Sequence, residues 1–444
     1  MIPRDMTAHP AMSQRALSPT EQTFFVADEI CSLNFVMHCE LAGELDEAAL
    51  RNALGKVQAR HPLLRMRLEG DAGSLWFRPG AEAIPLRLID APPAAVAPEA
   101  ERELHTRFDG ARGPLIRCVW IRHASGHGTL LTTFHHLIGD GISGALLLRN
   151  LMQALDGAEL ESLPLADSMD SHVPATAKGI RGYAGMISVG LQTLAKNLRR
   201  GPFRVLPVER PASFDQRRAA IRLLRFAPEV VSRLSDRARQ EGTTLHGALG
   251  AAILLACYPE LGHASAHIAF SSAVNMREQF SPPVGDVVGM YASLAFSPHL
   301  VDGGTELWLL AREIKRGLDA AFAAGQPFHG LTCIAPWLMY RHRQAGGGDA
   351  GRETVAKVIS RGMLKAFGLT NIGKVQLTTE AGPLRVESLG FVVSLSVLGD
   401  CAFTAATTNG ILCLNSIVME PVVSRATQDR IVERLQGIVL AAAG

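Results

Sequence analysis

The sequence holds no C-x-x-C pair, no marked excess of either charge, no apolar run long enough to cross a bilayer and no short-period repeat. Each absence removes a class of protein. The seven cysteines, at 31, 39, 118, 257, 333, 401 and 413, are odd in number and unpaired in spacing. That argues against a disulfide framework or a structural zinc site and for a reducing compartment. With 44 basic and 42 acidic residues the net charge is +2, which creates no field for gathering nucleic acid. The densest arginine runs, Arg199-Arg200 and Arg217-Arg218, are too short for a backbone-binding stripe. The most apolar helical window, Ala248 to Cys257, falls far short of the ~20 residues a membrane span needs and reads as a buried helix. Met1-Ile2-Pro3-Arg4-Asp5 lacks an apolar h-region, so no signal peptide and a cytoplasmic location are expected.

What is present is a globular composition, 47% hydrophobic and 19% charged over 444 residues, too long for one ordinary core. The first ~20 residues lack a period and are expected to be partly ordered. Leu33 to Leu41 reads as a strand. Leu45 to Arg60 has apolar residues at Leu45, Ala49, Leu50, Leu54 and Val57, helical spacing closed by His61-Pro62. Leu63 to Leu68 reads as a strand and Pro92 to Ala100 as a loop. Leu115 to Arg122 and Thr129 to His135 read as strands joined by the turn Ser125-Gly126-His127-Gly128, with a helix over Ile142 to Leu155. The proline-rich stretch 156–215, with some helix around 179–198, reads as a connection. Beyond it, Ala219 to Phe226 reads as a strand, Pro228 to Gln240 and the segment to Cys257 that Thr243-Thr244 can cap as helices, and Ile268 to Val274 as a strand. Trp308 to Ala323 reads as a helix. Leu384 to Leu398 and Ala402 to Val418 read as strands, and Ala426 to Ala442 as an amphipathic closing helix. Both halves mix strands and helices in similar proportion, which hints at duplication.

One segment carries chemistry: Phe134-His135-His136-Leu137-Ile138-Gly139-Asp140-Gly141, between a strand and a helix. Adjacent histidines on a strand point to opposite faces, so only one can enter a given cleft. Gly139 and Gly141 suit a sharp turn close to whatever binds there. Asp140 can hold that turn through backbone amides or an arginine, and a plain helix cap is an alternative. Metal ligation by the histidines and the aspartate lacks a third nearby His or Cys. His123 and His127 read as exposed turn residues, His135 as structural, and Ser394 as either a cleft-lining or a neutral strand serine.

His135-His136-x3-Asp140-Gly141 resembles the HHxxxDG motif of the superfamily that contains chloramphenicol acetyltransferase, condensation domains of non-ribosomal peptide synthetases, and polyketide-associated and BAHD-type acyltransferases. Further segments resemble family elements in family order. These are Ala16-Leu17-Ser18-Pro19-Thr20-Glu21-Gln22, Arg60-His61-Pro62-Leu63-Leu64-Arg65, Phe108-Asp109 through Gly113-Pro114-Leu115, Thr244-Leu245-His246-Gly247-Ala248, and Val274-Asn275-Met276-Arg277 with Val288-Gly289. The DFGWG element of the plant enzymes is absent. In its place Phe367-Gly368-Leu369-Thr370-Asn371-Ile372-Gly373 is similar to the S-N-x-G element of bacterial alcohol acyltransferases, and the segment from Phe391 to Ser396 is similar to the polyketide-associated type.

The resemblance implies an α/β (α+β) fold of two acetyltransferase-like subdomains, each a mixed sheet flanked by helices, forming a pseudo-dimer around a tunnel. The expected division is 1–175, a connection over 176–215, and 216–444. It implies His136 as general base with Asp140 fixing the turn, Arg65 or Arg277 pairing with Asp140, Gly141 leaving room near a pantetheine thioester, and Asn371 as a candidate oxyanion donor. The implied reaction moves an acyl group from an acyl carrier protein or coenzyme A thioester to a hydroxyl. Amide formation by a stand-alone condensation enzyme and a non-catalytic carrier-docking scaffold are the alternatives. No appended carrier domain, no cofactor, no metal, no nucleic-acid partner and a monomer are expected.

Overall fold

A computed structural model describes residues 14–70, 74–124, 126–362, 366–377, 380–381, 384–395, 397 and 399–444. Two six-stranded mixed sheets dominate. The first runs, edge to edge, through Glu380–Ala381, Leu384–Val393, Asn34–Ala42, His127–His135, Ile116–Arg122 and Leu86–Asp90, with only the last pair parallel. The second runs through Ala292–Asp302, Ser265–Asn275, Phe367–Lys374, Cys401–Thr408, Ile411–Glu420 and Arg218–Phe226, parallel on both sides of Phe367–Lys374. Helices Glu47–Arg60 and Gly141–Leu155 pack on each other beside the first sheet, and Pro228–Gln240, Leu245–Cys257 and Arg425–Ala443 form the layer of the second. No single helix among the described residues is long and apolar enough to cross a membrane.

The expected duplication is present, but the chain does not divide cleanly at 176–215. Leu384–Val393, from the later portion, completes the first sheet by pairing along Asn34–Ala42, with Phe391 opposite Met37 and Val392 opposite Val36. Phe391 O, facing the second sheet, accepts from Asn415 Nδ2 at 2.8 Å and from the Thr404 hydroxyl. A shared apolar cluster joins Val36, Val119 and Leu131 to Ile221, Ile417 and Met419.

Several elements differ from the sequence reading. Pro92 to Ala100 is not a loop: Val96–His105 is a helix that buries Val96, Ala100 and Leu104, four residues apart. Pro98 stands in its first turn, where the missing N–H breaks no helical bond. This helix clamps the halves. Glu101 Oε1 accepts from Ile221 N (2.8 Å) and His105 Nε2 from Ala219 N (2.6 Å), which occupies donors on the edge strand of the second sheet. Leu63 to Leu68 is extended only over Met66–Glu69, because Pro62 opens a 3-10 turn through Arg65. Ala292–Asp302, unanticipated, tolerates Pro298 because it is an edge strand. The strand expected to reach Leu398 ends at Val393; residues 396 and 398 lie outside the described residues, as do 1–13 of the expected partly ordered start and Ser125 of the expected turn. Pro19–Ile30, capped by the reciprocal Ser18–Glu21 box, makes the opening motif a helix.

Ile221 is fully buried in the shared cluster. Ile221→Ala is expected to lower unfolding free energy by about 2–5 kcal/mol, measured by urea unfolding. Burial also pushes His38, His61, His105, His246 and His299 down to about 4. Above about pH 6.5 these rings are neutral folded and unfolded; below it the unfolded chain binds protons that the folded chain refuses. Melting temperature is therefore expected to fall steadily from about pH 6.5 toward pH 4, and a flat profile over that window contradicts the burial of these rings.

Candidate active site

The HHxxxDG turn sits where the His127–His135 strand meets helix Gly141–Leu155. The two histidines are held in opposite tautomers. His135 is buried, and its Nδ1 accepts from Leu137 N at 2.9 Å, so the proton resides on Nε2, 3.5 Å from Asp28 Oδ2. His136 is half-buried, and its Nδ1 lies 2.9 Å from Gly139 O. A carbonyl only accepts, so Nδ1 carries the proton and Nε2 of the neutral ring keeps a free lone pair. Burial, opposed by the Asp140 charge and the Gly139 bond, lowers the His136 pKa, which keeps the ring neutral near pH 7. Phe24 and Phe35 flank it, with ring centroids at 5.7 and 5.1 Å. The opening helix thus delivers Asp28 to one histidine and Phe24 to the other.

Asp140 turns away from that ring into a closed network. It caps helix Gly141–Leu155 by accepting from Ser143 N (2.8 Å), and accepts from Tyr291 N (2.9 Å). Arg277 closes a two-pronged pair, Nη1 to Oδ2 at 2.9 Å and Nη2 to Oδ1 at 3.2 Å, with both side chains buried. Burial alone raises a carboxyl pKa; the Arg277 charge and these hydrogen bonds outweigh it and hold Asp140 below the usual range. Ser143 Oγ accepts from Arg277 Nη2 at 2.9 Å and donates to Gly289 O at 2.7 Å. The guanidinium also lies 4.9 Å from the Tyr291 ring centroid and bonds Asn275 Oδ1 at 3.2 Å.

Of the two arginines offered for Asp140, Arg277 holds it. Arg65 points elsewhere, with Nη2 3.5 Å from Ser162 Oγ, because the Pro62–Arg65 turn faces the 156–166 segment. The cap and the ion pair, read from sequence as alternatives, coexist on one carboxylate. The motif glycines are needed for space rather than for torsion, since neither has a positive φ. A Cβ on Gly141 would meet Ile372 Cγ2 at 2.8 Å, so the room expected beside a thioester is taken up by Ile372 and Phe391. Asn371 stands next to Ile372 on the same strand, and its Oδ1 accepts from Gly373 N at 2.8 Å. Ser394 is buried and donates to Ser32 O. His127 is exposed as expected, whereas His123 is half-buried between Ala91 O (2.8 Å) and Thr129 Oγ1 (2.9 Å). No group of three or more metal-ligating side chains occurs among the described residues. Sequence reasoning missed Phe24, Phe35, Asp28, Ser143 and Tyr291, since ordinary core residues signal a site only through their placement.

Two family patterns divide the chain: the Condensation domain matches residues 22–181, and the phthiocerol/phthiodiolone dimycocerosyl transferase C-terminus matches 215–413. Residues 22–181 and 215–413 thus both fall in the superfamily of condensation domains and chloramphenicol-acetyltransferase-like acyltransferases. Within that superfamily the chain is 29% identical over 220 residues to tyrocidine synthase 3 of Brevibacillus parabrevis, a match to 49% of this chain and 3% of that protein. It therefore spans only a small part of the length of that curated relative. Polyketide synthase associated protein 5 from Mycobacterium tuberculosis shares the fold at TM-score 0.67 and 19% identity, covering 98% of this chain and 99% of that one. Trichothecene 15-O-acetyltransferase from Fusarium sporotrichioides does so at TM-score 0.73 and 14% identity, covering 97% and 95%.

Arg277→Ala is expected to cost about 3–5 kcal/mol, because it strands the Asp140 carboxylate in the interior. Arg277→Lys is expected to recover only part of this, since an ammonium cannot span both carboxylate oxygens. Chemical denaturation of the three proteins checks both statements.

Proposed function

We propose that the chain is an O-acyltransferase, moving an acyl group from a carrier-protein or coenzyme A thioester to a hydroxyl acceptor with His136 as general base. The observation that carries this reading is the fixed tautomer: Nδ1–H bonded to Gly139 O leaves the Nε2 lone pair for a substrate proton. Nε2 takes the hydroxyl proton while the oxygen adds to the thioester carbonyl. The tetrahedral intermediate collapses, the C–S bond breaks, and the thiolate takes the proton back from Nε2, giving an ester and a free thiol. Nδ1 keeps its proton throughout, so the ring needs no reorientation between the two transfers. The Asp140 charge eases the transient imidazolium. Asn371, on the strand that abuts the motif turn, is the side chain proposed to donate its amide to the oxyanion. The two substrates are proposed to approach the ring along a passage between the halves, where alignment adds to the base.

Amide formation is the second reading, favoured by the Condensation domain match over 22–181; the transferase match over 215–413 favours the ester. Presenting one acyl thioester with an alcohol and with its amine analogue separates them by product mass.

His136→Ala is expected to lower kcat at least about 100-fold with little change in melting temperature, because general-base catalysis is worth ~10²–10⁴-fold. In the wild type, the acid limb of kcat/KM is expected below pH 6.5, following the lowered pKa of the ring. Full activity in His136→Ala removes the imidazole from the mechanism.

A further inference from the structure

Helix Gly179–Arg200, in the connection between the halves, buries only Gly182 among its residues. Its outer face is apolar. Ile180, Tyr183, Ile187, Leu191, Leu194 and Leu198 are all exposed, Ile180 at 85% and Leu198 at 79%. The inner face lies close on the molecule: a Cβ on Gly182 would meet Thr332 Oγ1 at 3.5 Å, and one on Gly185 would meet His329 Nε2 at 3.2 Å. The apolar face is therefore turned to the outside by close packing of the opposite side.

The spacing of the stripe discriminates between occupants. Steps of 3, 4, 4, 3 and 4 residues carry it from Ile180 to Leu198, eighteen residues. Five turns of an ideal α-helix take about eighteen residues, so the stripe runs parallel to the helix axis. A seam that winds around a partner helix drifts with a period of about 3.5 residues instead. A straight stripe suits a flat surface.

Charge discriminates further. From Ser171 to Val208 there is no acidic residue, while Lys178, Arg181, Lys196, Arg199, Arg200 and Arg204 are basic. None of the six forms an ion pair among the described residues. The helix packs on residues 326–334, which lead into Ala335–Gln344. That second segment is also free of acidic residues, from Ala320 to Gly348, and exposes Trp337, Tyr340, Arg341 and Arg343. Two copies of such a surface repel each other, whereas apolar side chains ringed by unneutralised cations match an anionic lipid interface.

We propose that helix Gly179–Arg200 docks the protein on the surface of an anionic membrane, lying in the interfacial plane with the Ile180–Leu198 stripe among the acyl chains. This assignment is independent of the acyl-transfer reading. Co-sedimentation of the full chain with phosphatidylcholine vesicles containing about one-third phosphatidylglycerol tests it, against vesicles of phosphatidylcholine alone. Binding is expected to the first and to be weak to the second. Ile187→Ser/Leu191→Ser/Leu194→Ser is expected to weaken binding at least about tenfold, with the melting temperature unchanged because these side chains are exposed. Arg199→Glu/Arg200→Glu is expected to lose the preference for anionic vesicles. Wild-type protein that stays in the supernatant with every vesicle composition overturns the proposal, and so does binding that the triple serine variant leaves intact. A dimer in solution that the serine variant converts to monomer, without vesicle binding, assigns the stripe to a second copy and overturns it equally.

Discussion

The buried pair between Asp140 and Arg277 is the constraint on which the site depends. A carboxylate this enclosed is tolerated because every direction around it is answered: the guanidinium from one side, the amides of Ser143 and Tyr291 from others. One carboxylate thereby fixes three things at once. It starts helix Gly141–Leu155, anchors segment 275–291 of the second half, and sets the turn whose Gly139 carbonyl orients His136. The aspartate acts on the imidazole through the backbone between them and through its charge, without touching the ring.

The adjacent histidines show how a short motif can set two proton arrangements with one residue type. His135 receives a backbone N–H and His136 gives an N–H to a backbone carbonyl. The backbone assigns the proton in each case, so the difference between the two imidazoles is written in the turn rather than in the side chains.

Most of the periodic elements were legible in the sequence, because helices such as Glu47–Arg60 and strands such as Asn34–Ala42 bury one regular set of residues. The helix Val96–His105 was not, since Pro and Ala in its first turn look like loop composition while the contacts that stabilise it come from Ala219 and Ile221, far along the chain. The motif turn was legible as the junction of a strand and a helix. The choice between Arg65 and Arg277 was not, because a partner is selected by what lies opposite in space, and nothing local distinguishes two arginines in two family elements. Gly141 was legible as a need for room, but the occupant of that room, Ile372, belongs to a strand more than two hundred residues away.

The loan of Leu384–Val393 to the first sheet has a consequence for how the chain is made. Until ribosomal synthesis reaches that segment, Asn34–Ala42 has no neighbour on one side and presents a largely apolar strand with an open row of amides and carbonyls. The nascent first half thus waits, nearly complete and adhesive, while more than two hundred further residues emerge. In that interval an identical strand from another polysome offers the same complement, so swapped oligomers are the natural misassembly product of this topology.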